Sequence, residues 1–309
     1  MRAGLGDDVD VKAAEVRFGV GEVRLSGTVW APGRQAPTPG VVLVGGSGPS
    51  DRTNGGYFDA VRDRLVAAGV TVLAFDKRGV GGSTGAWASA RVDDLAADVA
   101  GAVEVLRAHP GVDRDAVGLF GHSEGGWVAL RASAHRASPR YLVLNSCPAA
   151  SFFEAEVHGL TAAGVGLGRA RALFGRLRDA VLADADLATA VRAIADEPDP
   201  MLGEVLERTG FRLTDDSYSQ LRAWIDYTPD ADLESLRTPT LAIYGTQDPL
   251  IPVQASVDRL AQLAPTVRSQ VFVGADHRLC LDGALVPGYL DAVTAWCTSP
   301  TPVAGRSVR

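Results

Sequence analysis

The sequence predicts an α/β architecture: a mostly parallel, twisted sheet with helices on both faces, an N-terminal antiparallel hairpin and an inserted helical segment. Three observations carry this expectation. Short, unbroken apolar runs alternate with stretches of helical spacing, as buried parallel strands alternate with crossover helices. The leading segment instead alternates apolar and polar residues, the mark of a half-buried strand pair. Between about Ala150 and Leu236 the strand signal vanishes.

Residues 1–13 read as a flexible leader. "AEVRFGVGEVRLSGTVWAPG", Ala14 to Gly33, alternates around Val20-Gly21 and predicts the hairpin. Val41–Val44 predicts a short buried strand, followed by a helix around Tyr57–Ala68 and a second buried strand, "VTVLAFD", from Val70 to Asp76. In "RVDDLAADVAGAVEVLRAHP", Arg91 to Pro110, Leu95, Val99, Val103 and Leu106 fall on one helical face. "AVGLFG" (Ala116 to Gly121) predicts a strand, "GGWVALRASAH" (Gly125 to His135) a helix, and "RYLVLNS" (Arg140 to Ser146) a strand. The next segment is rich in Ala, Leu and charge, with breaks at Gly164, Gly166, Gly168, Pro198, Pro200 and Gly210. It predicts several helices forming a lid. "TPTLAIYGTQDP" (Thr238 to Pro249) and "RSQVFVGADH" (Arg268 to His277) resume the strands, and "PGYLDAVTAWC" (Pro287 to Cys297) closes with a helix. The implied division is a core of 14–149 and 237–298, a helical cap of 150–236, and flexible tails at 1–13 and 299–309.

Bulk properties narrow the function. A chain of 309 residues can bury one large core with an insertion. Its 46% hydrophobic and 22% charged content is ordinary for a soluble globular protein. A net charge of −7 with no basic cluster argues against a nucleic-acid surface. Nearly all the positive charge is arginine, since Lys12 and Lys77 are the only lysines. Cys147, Cys280 and Cys297 are odd in number and lack C-x-x-C spacing, which fits reduced thiols rather than disulfides or a metal site. The acidic start differs from a signal peptide, and no run of about 18 apolar residues suggests a membrane span. The expectation is a cytoplasmic protein without metal or organic cofactor, a monomer or homodimer acting on a small molecule.

"GHSEGG", Gly121 to Gly126, lies between a predicted strand and a predicted helix. A G-x-S-x-G in that setting puts its serine on a sharp turn above the sheet, with glycines leaving the approach clear. Ser123 is therefore the candidate nucleophile. A serine hydroxyl needs a base. His122 adjoins Ser123 within the turn and should point away; His109 and His135 lie near helix ends; His158 falls in the insertion. His277 follows the last predicted strand at its carboxyl end, where open α/β sheets build sites, and is the candidate base. The imidazole needs an acid to set its tautomer. Asp248 lies just past the preceding strand; the rival position after Arg140–Asn145 reads "NSCPAA" without a carboxylate, and Asp276 is an awkward immediate neighbour. The order Ser123, Asp248, His277 follows.

With "GGSGPSDR", "DKRGVGGS" and "GHSEGG" on the page, the chain resembles serine α/β-hydrolases from residue 14 to about 298. More narrowly it resembles a bacterial esterase and acyl-peptidase-like group with a G-S-G-P-x-D-R loop. The resemblance implies the α/β-hydrolase fold, a cap after the sixth strand and an oxyanion hole made by the backbone N–H groups of Ser47 and Glu124. It departs at Gly45, where the family often carries histidine. Asp51-Arg52 and Asp76-Lys77-Arg78 read as an ion-pair network under the loop, with Arg52 alternatively binding a substrate anion; His158 is a second candidate for substrate contact. The Glu124 side chain is a candidate for positioning the elbow. Phe152, Phe153, Phe174, Tyr218 and Trp224 read mainly as cap core.

These residues predict a serine esterase working through an acyl-enzyme on Ser123. A thioesterase, acyltransferase or acetate-eliminating lyase of a polyketide-type pathway would use the same residues. A non-catalytic binding module is the remaining alternative, and such modules usually lose a triad member, which this sequence does not.

Overall fold

The computed structural model describes residues 11–33, 37–195 and 213–300. The ends of both expected tails, and the breaks at Pro198, Pro200 and Gly210, lie outside them. Val11–Val20 forms β1, so residues 11–13, expected in the leader, belong to the hairpin instead. With β2 (Val23–Pro32), β1 pairs antiparallel through the turn at Gly21, whose φ of 57° suits glycine.

β3 (Thr38–Val44), β4 (Thr71–Phe75), β5 (Val112–His122), β6 (Leu142–Asn145), β7 (Thr240–Gly245) and β8 (Arg268–Phe272) complete an eight-stranded sheet in the order β1-β2-β4-β3-β5-β6-β7-β8. β2 joins β4 antiparallel, and every later pairing is parallel. This is the α/β-hydrolase architecture expected.

Strand alternation divides the core into two layers. Val42 and Leu73 face the layer covered by α2 (Val92–Arg107) and α3 (Glu124–Ala132), while Val41, Leu43, Val72 and Ile243 face the other, covered by α1 (Tyr57–Ala67) and α10 (Tyr289–Thr298). Burial on both faces is why these strands read as continuous apolar runs. The predicted face of α2 is the buried one: Leu95, Val99, Val103 and Leu106 are each 5% exposed or less.

Between β6 and β7 the chain forms α4 (Phe152–Ala162), α5 (Leu167–Leu182), α6 (Leu187–Ala195), α7 (Asp215–Trp224) and α8 (Asp230–Ser235). α4 begins at a reciprocal cap in which the Ser151 hydroxyl accepts from the Glu154 N–H at 3.2 Å. Leu160, Leu173, Phe174, Leu177 and Trp224 of this insertion are buried in the same layer as α3.

Two features differ from expectation. α9 (Val253–Leu263) fills residues to which the sequence reading assigns no element. β8 ends at Phe272, short of His277, and is an exposed edge, with Val271 41% exposed and Val273, just past its end, 82% exposed. A two-residue hairpin, β9 (Cys280–Leu281) with β10 (Ala284–Leu285), follows it.

Candidate active site

Ser123 stands between β5 and α3 with φ 55° and ψ −126°, a conformation that non-glycine residues rarely adopt. The surroundings hold it there. The Ser123 N–H donates to the Asn145 carbonyl of β6 at 2.9 Å, and the Gly126 N–H donates to the Ser123 carbonyl at 2.8 Å. A Cβ on Gly121 would lie 2.3 Å from the Gly125 carbonyl oxygen, and one on Gly125 would lie 2.3 Å from that of Val44. Side chains at either position would push the turn off the sheet.

The loop after β3 lies against this turn, since a Cβ on Gly46 would come within 3.4 Å of the Ser123 Cβ. The Gly46 N–H donates to the Asn54 side-chain oxygen at 3.2 Å, which also accepts from the Ser50 hydroxyl at 2.9 Å. Ser47, Ser123 and Glu124 together line a cavity of about 260 Å³. Trp127, Pro148, Phe152, Leu160, Leu250 and Ile251 make its apolar wall, with Glu156 of α4 among them.

His277 and Asp248 meet across the carboxyl ends of β7 and β8. The His277 Nδ1 lies 2.8 Å from Asp248 Oδ2. The other Asp248 oxygen accepts the Leu250 and Ile251 N–H groups at 2.8 and 3.1 Å, so the carboxylate is fixed from both sides. Asp276, the sequence rival, accepts the N–H groups of Arg278 and Cys280 at 2.8 Å each and serves its own turn.

His122 packs beneath, with ring centroids 5.0 Å from His277 and 4.6 Å from Tyr57. Its Nδ1 accepts from the Asn145 amide at 3.0 Å. Burial holds this imidazole well below its ordinary range, with His277 and Arg278 adding repulsion, so it sits neutral. His135 is 2.9 Å from Asp232, away from Ser123.

Two candidates for substrate contact are placed elsewhere. Arg52 spends its guanidinium as an anchor: Nε and Nη2 donate to Asp76 at 3.1 and 2.9 Å, and Nη1 donates to Glu15 at 2.7 Å and to the Thr28 hydroxyl at 2.5 Å. The ion-pair alternative for this residue is the one realised, and Arg52 is absent from the cavity wall. His158 lines a separate groove of about 490 Å³ with Phe153, Arg171 and Arg259, because the turn of α4 that carries it faces α9. Burial lowers its pKa, opposed by Asp248.

The sequence reading missed Trp127 and Glu156 as wall residues. Glu156 has a carboxyl pushed up to about 7, chiefly by burial and then by the Glu124 charge. It also missed the surroundings of the Glu124 side chain. Lys77 Nζ donates to Glu124 Oε1 at 2.9 Å, and the Gln220 amide of α7 donates to Oε2 at 2.7 Å. The sequence places Lys77 only in an ion-pair network with Asp51, Arg52, Asp76 and Arg78 under the loop. Arg78 pairs separately with Asp98 at 2.7 Å.

The sheet, the strained serine turn and the acid–histidine pair at the strand ends define a known class: the chain belongs to the alpha/beta hydrolase family, whose model matches residues 41–286. It is similar to a monoacylglycerol lipase of Mycolicibacterium smegmatis, 27% identical over 301 residues, spanning 91% of this chain and 95% of that one. It is also similar to a non-heme haloperoxidase of Rhodococcus erythropolis, 28% identical over 231 residues, 70% of this chain and 78% of that one. An esterase of Pyrococcus furiosus shares the fold, with TM-score 0.57 over 86% of this chain and 84% of that one at 21% identity. These matches support a hydrolase of the alpha/beta family. No helix among the described residues is long and apolar enough to cross a membrane.

Proposed function

We propose that the protein is a serine hydrolase cleaving the carboxylic ester of a small or medium-sized substrate through an acyl-enzyme on Ser123. The observation that carries this reading is the strained Ser123 turn sharing one cavity with Ser47 and Glu124, with the carboxylate-held His277 ring centred 5.0 Å from that of His122, the residue before Ser123. Ser123 attacks the acyl carbon while His277 Nε2 accepts its proton. Asp248 accepts from Nδ1–H, which fixes the tautomer and stabilises the imidazolium. The N–H groups of Ser47 and Glu124 donate to the oxyanion, a task for rigid backbone donors that need no reorganisation. Collapse of the tetrahedral intermediate returns the proton to the leaving alcohol, and water repeats the sequence on the acyl-enzyme.

The insertion serves as the cap, its α4 supplying Phe152, Glu156 and Leu160 to the wall. A cavity of about 260 Å³ lies near the lower end of ligand-pocket volumes and favours a short acyl or alkoxy group. The three free cysteines support a reducing, cytoplasmic setting, and the reading takes the protein to act as a monomer or homodimer.

The test is hydrolysis of p-nitrophenyl esters from acetate to decanoate by the wild type and by Ser123→Ala, with labelling by a fluorophosphonate. Wild-type turnover highest on the short esters is expected, with a loss of at least a thousandfold in Ser123→Ala. Turnover retained in that variant sinks the assignment. Labelling of Ser123 without ester turnover would move the reaction to acyl transfer or elimination.

A further inference from the structure

Lys77 lies behind the proposed oxyanion hole, outside the wall of the Ser123 cavity. Its ammonium donates to two acceptors, the Gly46 carbonyl at 2.5 Å and Glu124 Oε1 at 2.9 Å. Its own backbone N–H donates to the Ser50 carbonyl at 3.0 Å, on the same loop. We propose that Lys77 is the positioning residue of the oxyanion hole, clamping the two peptide donors to one another from behind. This rests on the serine-hydrolase reading above.

Peptide geometry gives the clamp its effect. The Gly46 carbonyl and the Ser47 N–H are opposite ends of one planar trans unit. Holding the oxygen therefore fixes the direction of the hydrogen that meets the substrate. Donation to the carbonyl also polarises the unit and strengthens its N–H as a donor. The second donor is the N–H of Glu124, and the carboxylate that receives the other Lys77 bond belongs to that residue. One ammonium thus ties the loop after β3 to the head of α3. Gln220 reaches from α7 to the other Glu124 oxygen at 2.7 Å, so the insertion braces the same carboxylate.

An ordinary structural ion pair explains less. It has no need to end on the Gly46 carbonyl, the far end of the peptide whose N–H belongs to the cavity-lining Ser47. The side chains of Lys77 and Glu124 are 10% and 3% exposed, so each is costly without the other. The residue type fits as well. Of 30 basic residues only Lys12 and Lys77 are lysines, leaving 28 arginines, and this position carries a compact ammonium. Such a point donor can bridge a carbonyl and a carboxylate side by side, where a planar guanidinium fork is wider.

The test compares wild type, Lys77→Met, Glu124→Gln and the double variant on p-nitrophenyl acetate, with active sites counted by fluorophosphonate so that misfolded protein drops out. Butylboronic acid is the second probe. Its boron bonds to the Ser123 oxygen, His277 takes the hydroxyl proton, and a hydroxyl oxygen of the resulting tetrahedral boronate anion enters the hole.

We expect kcat per labelled site to fall about ten- to hundredfold in Lys77→Met, below the roughly hundred- to thousandfold loss of a whole donor. KM should change less than about threefold, and boronate inhibition should weaken in step with kcat. Glu124→Gln should add little once Lys77 is gone, because the two act as a unit. A kcat per site within threefold of wild type, or a fall in kcat with unchanged boronate affinity, overturns the clamp. If Lys77→Met yields no folded protein, Lys77→Gln is read by the same measurements. Failure of the clamp leaves Ser123→Ala inactive and the hydrolase reading intact; an active Ser123→Ala removes that reading itself.

Discussion

Glu156 presents its carboxyl to the apolar wall of the cavity and has no hydrogen bond or ion pair among the described residues. Its ordinary value of 4.5 is raised to about 7 in the folded protein. The sign follows from linkage: below about pH 4.5 the group is neutral in both states, and its full contribution to stability is present. As pH rises towards 7 the unfolded chain releases a proton that the folded one keeps, and that contribution is lost. At about 1.4 kcal/mol per unit, discounted for partial exposure, the loss is about 1 to 3 kcal/mol. Glu156→Gln should therefore be more stable than wild type by about that amount at pH 8 and nearly equal to it at pH 4.5. Urea unfolding at the two pH values measures this, and a difference independent of pH would refute it. Ser123 and His277 could be nominated at this scale because a local turn and chain order announce them. Nothing in "FFEAEVHGL" says which of its side chains turns toward a serine on another element, and the reading picked His158 two positions away.

At the scale of elements, the junction between α3 and the insertion is aromatic. Trp127 stacks on Trp224 with centroids 6.0 Å apart, and Tyr227 meets each edge-on at 5.4 Å. Phe152 packs 6.3 Å from Trp127, and the Trp224 indole donates to the Ala90 carbonyl at 3.1 Å. Trp224→Ala should cost about 3–5 kcal/mol, the usual range for a buried tryptophan. A shift in urea midpoint worth less than about 1 kcal/mol would show the junction to be dispensable. The helices and strands themselves were largely legible, since periodicity is a property of ten or so consecutive residues. α9 has no counterpart in the sequence expectations, although Val253, Val257, Leu260 and Leu263 recur at helical spacing and pack on the core. β8 is shorter than the strand expected over Arg268–His277, ending at Phe272 as a largely exposed edge.

Across the whole molecule, Arg52 joins three parts that are distant in sequence: Glu15 of β1, Ser26 and Thr28 of β2, and Asp76 after β4. Asp76 is nearly buried while Glu15 is largely exposed, so the Asp76 bond carries most of the effect. Arg52→Met should destabilise the fold by about 2–4 kcal/mol by leaving that carboxylate unpaired. The KM ratio of p-nitrophenyl hydrogen succinate to p-nitrophenyl butyrate should stay within twofold of wild type, because the guanidinium is occupied elsewhere. A selective tenfold rise for the anionic ester would return Arg52 to substrate binding.

The amino-acid order alone determined what is written in short windows: the alternation of buried strands with helices, the hairpin turn at Gly21, the Gly121–Gly126 elbow and the succession Ser123, Asp248, His277. Tertiary structure decided which side chains share a space. It closed the Asp248–His277 contact, set Lys77 against Gly46 and Glu124, brought Glu156 to the cavity and His158 to a separate groove. Those contacts join residues 29 to 47 positions apart in the Asp248–His277 and Lys77–Glu124 pairs, with Lys77–Gly46 between at 31. Propensity and periodicity act over a turn or a strand, whereas such distances are closed only by strand order, register and the packing of helices on the sheet.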